Sequence, residues 1–277
     1  MVHLGLIGHP LGHSLSPKIH TAALKACGLE GDYSLFPIHP DDTQGLKHLL
    51  SRVRAGEIQG LNVTIPHKQN VIPLLDKLTS TAQAIGAVNT IYLRENKLIG
   101  DNTDALGFLG DLKRFLTTET QRHGDSNALV LGAGGSSRAI VYALLRDDWN
   151  VTVASRRIEQ AQQLAQSFPN YQLQITNYSS FIFHLSSFAL LVNATPLGMA
   201  PNTDHSPWPE NLPFPNAAVY DLVYNPRETK LVHNARSQGL PATTGLGMLI
   251  EQAALAFELW TGCNPPRGVL WNAVENY

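Results

Sequence analysis

Four polar clusters in the first half of the chain carry side chains that could bind a small ligand. They are residues 13–17 (His-Ser-Leu-Ser-Pro), 62–68 (Asn-Val-Thr-Ile-Pro-His-Lys), 87–90 (Ala-Val-Asn-Thr) and 100–107 (Gly-Asp-Asn-Thr-Asp-Ala-Leu-Gly). In an extended strand Asn62 and Thr64 point to the same face, because side chains alternate between the two faces. Hydroxyl and amide groups arranged in this way suit a ligand that bears several hydroxyl groups.

A glycine-rich turn at residues 132–136 predicts a dinucleotide site. The turn reads Gly132, Ala133, Gly134, Gly135, Ser136; it follows an apolar run at 128–131 and precedes a helical run at 139–145. Glycine permits the tight turn and the close approach of a pyrophosphate, which the helix start can then bind through its N–H groups. Ser137 stands where a third glycine is usual, and the alternative is an ordinary glycine turn.

Arginines about 20 residues after this turn favour NADP over NAD. An NAD enzyme places a carboxylate here for the ribose hydroxyl, whereas this chain has Ser155, Arg156 and Arg157. A guanidinium group binds phosphate oxygens with paired hydrogen bonds, so it suits the 2′-phosphate of NADP. The plainer interpretation is a solvated surface at a helix start.

Alternating strand and helix patterns must position these residues. The first half predicts strands at 3–8, 33–38 and 61–65, a helix capped by Ser16 that runs to about Cys27, a helix at 43–54, and a hairpin at 85–93 and 97–99 that adds an antiparallel edge. The second half predicts strands at 128–131, 151–154, 171–175, 188–193 and 217–223, and a final helix at 249–260. Residues 117–127, which hold almost no large apolar side chain, are the expected connection. This order indicates two α/β domains with ligands at the carboxyl ends of the strands.

Composition excludes several classes of protein. The net charge is −2 and the basic residues are scattered, which argues against a nucleic-acid partner. The longest apolar runs are far shorter than the ~18 residues of a membrane helix. Cys27 and Cys263 are far apart and outside any CxxC pattern, so we expect neither a disulfide nor a zinc or other metal site, and we expect a reducing cytoplasm.

With the glycine turn and the segment 245–262, the four clusters resemble the shikimate dehydrogenase family over nearly the whole chain. The resemblance implies reversible, NADPH-dependent reduction of 3-dehydroshikimate to shikimate, a step towards chorismate and the aromatic amino acids. It implies an N-terminal, mostly parallel α/β substrate domain at 1–112 and a Rossmann-type, doubly wound NADP-binding domain at 113–244. Residues 245–277 are then helices that return to the substrate domain.

The resemblance also implies roles for individual residues. Lys68 and Asp104 correspond to the family's catalytic pair, in which the ammonium group supplies the proton as hydride reaches the carbonyl carbon. The residues that correspond to substrate contacts are Ser14 and Ser16 for the carboxylate, Thr64, Asn89 and Gln252 for the ring hydroxyls, Asn62 nearby, and Tyr224. The expected cofactor contacts are Gly132, Ala133, Gly134, Gly135, Ser136, Ser155, Arg156, Arg157, Asn193, Ala194, Thr195, Leu222 and Gly245.

Several of these residues have plainer alternatives. Ser16 before Pro17 suits a helix cap, and Asp104 could cap the helix that follows it. Lys68 could be a solvated lysine at a helix start. Gln252 lies within the apolar stripe of the last long helix, where a core glutamine would need hydrogen-bond partners.

The sequence departs from the family pattern at two places and leaves other functions open. Only Arg156 matches the family's Asn-Arg-Thr phosphate site, and Thr21 follows His20 where asparagine is common. Oxidation of quinate or use of NAD remains an alternative. A non-catalytic dinucleotide sensor is another. A dehydrogenase that acts on a folate would require an extended aromatic groove, which the sequence does not indicate. A homodimer is a possible assembly.

Overall fold

The computed structural model describes residues 1–119, 126–177, 187–210 and 212–275. The chain divides into two compact units. Unit 1 consists of Met1–Gly107 and Ile250–Tyr277, and unit 2 of Phe108–Leu249. The predicted boundaries at 112/113 and 244/245 lie five residues from these divisions, and the roles of the domains stay a prediction.

Unit 1 is built on a six-stranded sheet of order β2-β1-β3-β5-β6-β4. Its strands are β1 (Val2–Gly8), β2 (Gly31–Pro37), β3 (Gly60–Val63), β4 (Lys77–Leu78), β5 (Thr90–Arg94) and β6 (Lys97–Asp101). Its helices are α1 (Ser16–Ala26), α2 (Thr43–Arg54), α3 (Ser80–Ile85) and α9 (Arg267–Ala273), with a 3₁₀ turn at Ile72–Leu74. The strands β2, β1 and β3 run parallel, and β5 is antiparallel to both β3 and β6. Buried aliphatic side chains of β3, α2 and β5, such as Leu61, Val53 and Ile91, form its core.

Unit 2 is built on a parallel sheet of order β12-β11-β10-β7-β8-β9. Its strands are β7 (Asn127–Leu131), β8 (Asn150–Ala154), β9 (Gln174–Thr176), β10 (Leu190–Asn193), β11 (Ala218–Asp221) and β12 (Ala242–Thr244). Its helices are α5 (Gly135–Arg146), α6 (Ile158–Gln166) and α7 (Lys230–Ser237). The strand order reverses between β7 and β10, so the predicted doubly wound fold is confirmed.

Two long helices contain the divisions between the units. They are α4 (Asp104–Glu119) and α8 (Leu246–Thr261). Within unit 1, the first residues of α4 and the later residues of α8 come together at Gly107 and Gln252. No helix in the described part of the chain has the length and apolar character needed to cross a membrane.

The structure corrects several predicted elements. Leu15, not Ser16, is the N-cap of α1, because the helix already begins at Ser16. The Ser16 amide donates to the Ser14 hydroxyl at 3.2 Å. The first hairpin strand begins at Thr90, since Ile85 ends a short helix that stops at Gly86 in the left-handed region (φ 68°). The hairpin is antiparallel as predicted, but β4 occupies the sheet edge beside it.

Smaller differences concern unit 2 and the connection. The strand expected at 171–175 is observed at Gln174–Thr176, and β12 was not predicted. Helix α4 runs through Glu119, so the start of the expected connection at 117–127 is helical. Residues 120–125 of that connection lie outside the described residues.

The expectation of no disulfide is wrong. Cys27 and Cys263 form a disulfide within unit 1, although 236 positions separate them in sequence. Cys27 caps the C-terminus of α1, and Cys263 follows the end of α8 by two residues. Helix ends that meet only in the folded unit leave no spacing pattern by which the pair could be recognised. Among the described residues, no group of three or more His, Cys, Asp or Glu side chains could hold a metal ion.

Candidate active site

Lys68 and Asp104 form a close ion pair in unit 1. The Lys68 Nζ lies 2.6 Å from Asp104 Oδ2, and the two side chains are 13% and 6% exposed. Asp104 is the first residue of α4, and its amide donates to the Asn102 side chain at 3.1 Å. The Lys68 carbonyl accepts from the Val88 amide at 2.8 Å, which fixes the lysine backbone beside the turn that leads to β5. A partly exposed ammonium group held by a carboxylate can donate a proton to a ligand oxygen and accept it back.

Asn89 connects this pair to the neighbouring side chains. Its Nδ2 donates to Asp104 Oδ1 at 2.8 Å and to the Thr103 hydroxyl at 2.9 Å. Its Oδ1 accepts from the Thr103 amide at 2.8 Å. Because the amide group is bonded on both sides, its orientation is fixed, and Asp104 Oδ1 is held while Oδ2 meets the lysine.

Gln252 of α8 lies at the same place. Its Oε1 is 3.3 Å from Asn89 Nδ2, and its backbone carbonyl accepts from the Thr103 hydroxyl at 3.0 Å. The residue is 8% exposed. The later part of α8 therefore contributes a polar side chain to the cluster that the first 107 residues build.

Asn62 lies on the other side of Asn89. It lies in β3 and is 5% exposed, and its Nδ2 is 3.4 Å from the backbone carbonyl oxygen of Asn89. Its Oδ1 accepts from the hydroxyl of Tyr33 on β2 at 2.8 Å. The structure thus brings together Asn62, Lys68, Asn89, Asp104 and Gln252, which the sequence predicted as separate site residues.

The remaining substrate candidates are less directly connected. Ser14 is half-buried and bonds the Ser16 amide, Ser16 is buried in the first turn of α1, and Thr64 is half-buried directly after β3. The Thr64 amide donates to the Ile7 carbonyl at 2.8 Å, which holds it against the end of β1. Tyr224 follows β11 in unit 2, and its role as a substrate contact stays a prediction.

In unit 2 the glycine turn follows β7, at the point where the strand order reverses. Gly132 has a φ of 105°, a conformation that side-chain-bearing residues rarely adopt. A Cβ built on Gly134 would meet no described atom within 4 Å, so open space lies over the backbone there. The Gly134 amide donates to Ser137 Oγ at 3.1 Å, so Ser137 supports the turn in place of a third glycine. With the start of α5 at Gly135, this geometry fits a pyrophosphate.

The arginines predicted to bind the 2′-phosphate lie at the carboxyl end of β8. Arg156 and Arg157 are exposed, and the buried Ser155 hydroxyl accepts from the Arg157 amide at 3.3 Å. Exposed guanidinium groups at the end of the strand next to β7 fit the position of a ribose phosphate.

The predicted cofactor residues at the end of β10 are held by a buried carboxylate. Asn193 donates to Asp221 Oδ1 at 2.8 Å and accepts from the amide and the hydroxyl of Thr195, at 2.9 and 2.7 Å. Burial raises the pKa of Asp221 to about 6, against the opposing effect of its hydrogen bonds from Thr229, Val223 and Asn193. Ala194 lies between these bonded residues, and a Cβ on Gly245 would lie 2.2 Å from the Leu222 carbonyl oxygen.

Sequence reasoning missed two residues of the unit 1 cluster and Asp221. Thr103 stands inside the polar stretch 100–107, directly before the candidate Asp104, and that position was the available signal. Tyr33 stands in a predicted strand, where an aromatic residue is ordinary, and nothing in the sequence connects it to Asn62. Asp221 ends a strand next to Leu222, and that position was its only signal.

Comparison with known proteins decides the family. Residues 6–91 match the family model described as the shikimate dehydrogenase substrate binding domain. Residues 115–199 match shikimate/quinate 5-dehydrogenase, and residues 245–275 match the shikimate 5′-dehydrogenase C-terminal domain. A shikimate dehydrogenase (NADP(+)) of Salinibacter ruber is 40% identical over 282 residues, covering 98% of this chain and 95% of that protein. The chain belongs to the shikimate dehydrogenase family.

Other members of the family agree with this assignment along the whole chain. The shikimate dehydrogenase (NADP(+)) of Methanocaldococcus jannaschii is 40% identical, covering 98% of this chain and 95% of its own. The solved Thermus thermophilus shikimate 5-dehydrogenase, in complex with NADP(H) and shikimate, superposes with a TM-score of 0.87 at 39% identity and covers 99% of both chains. A quinate dehydrogenase of Corynebacterium glutamicum in complex with NAD has a TM-score of 0.88 at 31% identity, covering 100% of this chain and 99% of that one.

Proposed function

We propose that this chain catalyses the reversible, NADPH-dependent reduction of 3-dehydroshikimate to shikimate, a step in the biosynthesis of chorismate and the aromatic amino acids. The observation that carries the proposal is the Lys68–Asp104 pair at 2.6 Å, joined through Asn89 to Gln252. Relatives of nearly equal length that bear the name shikimate dehydrogenase (NADP(+)) support the same reaction.

The polar side chains of unit 1 would recognise a ring that bears hydroxyl groups. Asn62, Asn89 and Gln252 offer amide groups, and Thr64 offers a hydroxyl, so each can meet a hydroxyl that both donates and accepts. Ser14 and Ser16 would bind the substrate carboxylate through neutral hydroxyl groups. Several such contacts orient the ring, which is the part of catalysis that binding contributes.

Lys68 is the proposed acid in the direction of reduction. Its ammonium group would face the substrate carbonyl oxygen, stabilise the negative charge that develops there, and transfer a proton to it. In the direction of oxidation the neutral amine would accept the proton of the same hydroxyl. Asp104 would hold the Lys68 Nζ in place throughout, because its other oxygen is fixed by Asn89.

The residues of unit 2 support NADP as the cofactor. The turn at Gly132 and Gly134 and the start of α5 suit the pyrophosphate, and Arg156 and Arg157 suit the 2′-phosphate. Once bound, NADPH supplies the hydride that reduces the carbonyl carbon.

Location and assembly complete the proposal. We propose a cytoplasmic location, which fits a biosynthetic enzyme. The Cys27–Cys263 disulfide is a feature more typical of oxidising compartments. The homodimer stays a prediction, which light scattering coupled to size-exclusion chromatography would measure directly.

A steady-state assay that follows the absorbance of reduced nicotinamide tests the function. Shikimate and quinate are each offered with NADP⁺ and with NAD⁺. We expect the highest kcat/KM for shikimate with NADP⁺. A higher value for quinate or for NAD⁺ would identify the alternative specificity, and no turnover of shikimate with either cofactor would overturn the proposal.

A further inference from the structure

The hydroxyl of Tyr33 lies behind the candidate substrate residue Asn62. Tyr33 is on β2 and Asn62 on β3, on either side of β1, where they pair with Leu4 and Leu6. The Tyr33 hydroxyl donates to Asn62 Oδ1 at 2.8 Å, and both residues are less than a tenth exposed. The bond is therefore made between buried groups, where an unmade hydrogen bond is costly.

The second contact of Asn62 identifies which end of its amide faces which partner. Asn62 Nδ2 lies 3.4 Å from the backbone carbonyl of Asn89. A carbonyl can only accept, so the nitrogen must face it and the oxygen must face Tyr33. Tyr33 and Asn89 then take one acceptor position and one N–H of the amide, and the buried His20 also lies beside the Asn62 side chain. The proposal below assigns the second N–H to a ligand oxygen.

The ring of Tyr33 is held by a fully buried histidine. The rings of His20 on α1 and Tyr33 stack with centroids 4.3 Å apart and planes 1° from parallel. Trp260 of α8 covers His20 at 5.3 Å, and His20 has no exposed surface. Burial lowers the pKa of His20 to about 3, against the opposing effect of the neighbouring Asn62 side chain, so the imidazole is neutral. Tyr33 thus has little freedom to turn its hydroxyl away from Asn62.

We propose that Tyr33 is a positioning residue that fixes the Asn62 amide with its remaining N–H directed at a ring hydroxyl of the substrate. Tyr33 itself does not touch the substrate in this proposal. The proposal deepens the function given above and rests on it, because it takes shikimate as the ligand. It predicts that removing the phenol oxygen weakens substrate binding only while Asn62 is present.

A double-mutant cycle tests the proposal. Tyr33→Phe keeps the ring that stacks on His20 and removes one oxygen. We expect it to raise the KM for shikimate by about tenfold, the effect of one lost buried hydrogen bond of ~1.4 kcal/mol, and to change kcat and the KM for NADP⁺ less than about twofold. In an Asn62→Ala background, Tyr33→Phe should change the KM for shikimate less than about twofold.

The controls separate this role from a general effect on folding. Tyr92→Phe, at a buried tyrosine on β5 of the same unit, should leave both KM values unchanged. The thermal midpoint of every variant is measured beside its kinetics. A Tyr33→Phe enzyme with unchanged KM for shikimate overturns the proposal. An equal penalty with and without Asn62, or an equal rise in the KM for NADP⁺, overturns it as well. Failure of the unmodified chain to oxidise shikimate would instead defeat the proposed function.

Discussion

At the scale of single residues, the chemistry depends on how Lys68 is held. Its ammonium group lies against a carboxylate whose other oxygen is bonded to Asn89, so it has one well-defined position. A lysine on the open surface would sample many rotamers, and its proton would rarely meet a given ligand oxygen.

Replacing Lys68 by alanine should reduce kcat strongly. Lost acid–base assistance costs roughly 10²–10⁴-fold in turnover, while the KM for shikimate should change much less because the amide and hydroxyl contacts remain. Steady-state kinetics in both directions measure this. Lys47→Ala, at an exposed lysine of α2, is the matched control and should behave as the unmodified enzyme. A Lys68→Ala enzyme with normal kcat would remove this residue from the mechanism.

Arg156→Ala should raise the KM for NADP⁺ far more than that for NAD⁺. The guanidinium group is proposed to bind the 2′-phosphate, which NAD⁺ lacks; the loss of such a charged contact corresponds to about 1.5–3 kcal/mol, or roughly 10–100-fold. Arg146→Ala, at the exposed end of α5, removes the same charge from unit 2 away from the turn and serves as control. Equal losses for the two cofactors would refute a role in reading the phosphate.

Burial of His20 should make stability depend on pH. Its folded pKa of about 3 lies below the ordinary histidine pKa of 6.5, so between these two pH values the unfolded chain binds a proton that the folded chain does not. The free energy of unfolding should therefore fall as pH decreases below about 6.5, by ~1.4 kcal/mol per pH unit from this residue. Urea unfolding at pH 7.5 and pH 5 measures the effect, with the two pH values chosen about one unit above and 1.5 units below that point.

A His20→Phe variant isolates this contribution. It retains an aromatic ring against Tyr33 but cannot titrate, so it should lose about 2 kcal/mol less than the unmodified protein between the two pH values. His48→Phe, at an exposed histidine of α2, should keep the original dependence. An unchanged pH dependence in His20→Phe would show that His20 is protonated without cost in the folded state.

Most predicted residues of the candidate site stand in local motifs, whereas Gln252, in the apolar stripe of α8, was expected only from the family resemblance. Lys68, Asn89 and Asp104 each belong to a short polar stretch, and such a stretch is visible without knowledge of the fold. Tyr33 contacts Asn62, which is 29 positions away on another strand of the sheet. Thr103 contacts Gln252, which is 149 positions away on α8. Contacts of this kind are fixed by tertiary packing, which a single sequence does not display.

At the scale of elements, the close approach of α4 and α8 within unit 1 brings Gln252 to Asn89. A Cβ added to Gly107 would lie 2.7 Å from the backbone nitrogen of Gln252 and 2.8 Å from the Gln252 Cβ. Only a residue without a side chain allows the two helix backbones to come this near. The position of Gln252 in the site therefore depends on a glycine one helical turn after Asp104.

Gly107→Ala should disturb both stability and substrate binding. Overpacking of this kind costs roughly 1–3 kcal/mol in the free energy of unfolding, and displacement of α8 should raise the KM for shikimate. Denaturant unfolding and kinetics measure the two effects. Gly110→Ala, on an exposed position of the same helix, should instead leave the KM unchanged and stabilise by up to ~1 kcal/mol, because alanine favours helix. If the two variants showed the same change in the free energy of unfolding and in the KM for shikimate, the result would contradict the close packing of Gly107 against Gln252.

Elements with a strong periodic pattern were predicted well, and short ones were not. The helix at 43–54 has the predicted bounds, because its apolar residues Leu46, Leu49, Leu50 and Val53 all face the core. The strand β12 has only three residues and exists because it pairs with β11. The helix α3 has six residues and is set by Thr79, which caps its start, and Gly86, which ends it. Segments this short take their structure from their neighbours.

At the scale of the whole molecule, the disulfide joins positions near the two ends of the chain. Cross-linking residues 236 positions apart restricts the unfolded chain strongly, and the chain-entropy treatment gives about 5 kcal/mol for a loop of this length. Reduction should lower the free energy of unfolding by up to that amount. Urea unfolding with and without reductant, together with thiol titration, measures it.

The variant that carries both Cys27→Ser and Cys263→Ser provides the control for reduction. It should unfold at the same urea concentration with and without reductant, near the midpoint of the reduced protein. Two titratable thiols in the protein before any reductant is added would contradict the disulfide.

Much of the fold followed from the sequence, because alternation of buried strands and amphipathic helices determines the class of architecture. The doubly wound sheet of unit 2 was expected from five strands, of which β10 and β11 are wholly buried and β7 is almost wholly buried. The disulfide and the edge position of β4 depend on which elements become neighbours. The packing of the folded sheet determines which elements become neighbours, and the local propensity of a segment does not encode this.

The discontinuous path of unit 1 has a consequence for how the protein is made. Residues 108–249 form their own compact unit between the two segments of unit 1. Gln252, Trp260 and Cys263 are therefore synthesised only after the whole of unit 2. The side-chain cluster around Lys68, which includes Gln252, can be completed only after residue 252 has been synthesised, whereas all of unit 2 has been synthesised by residue 249.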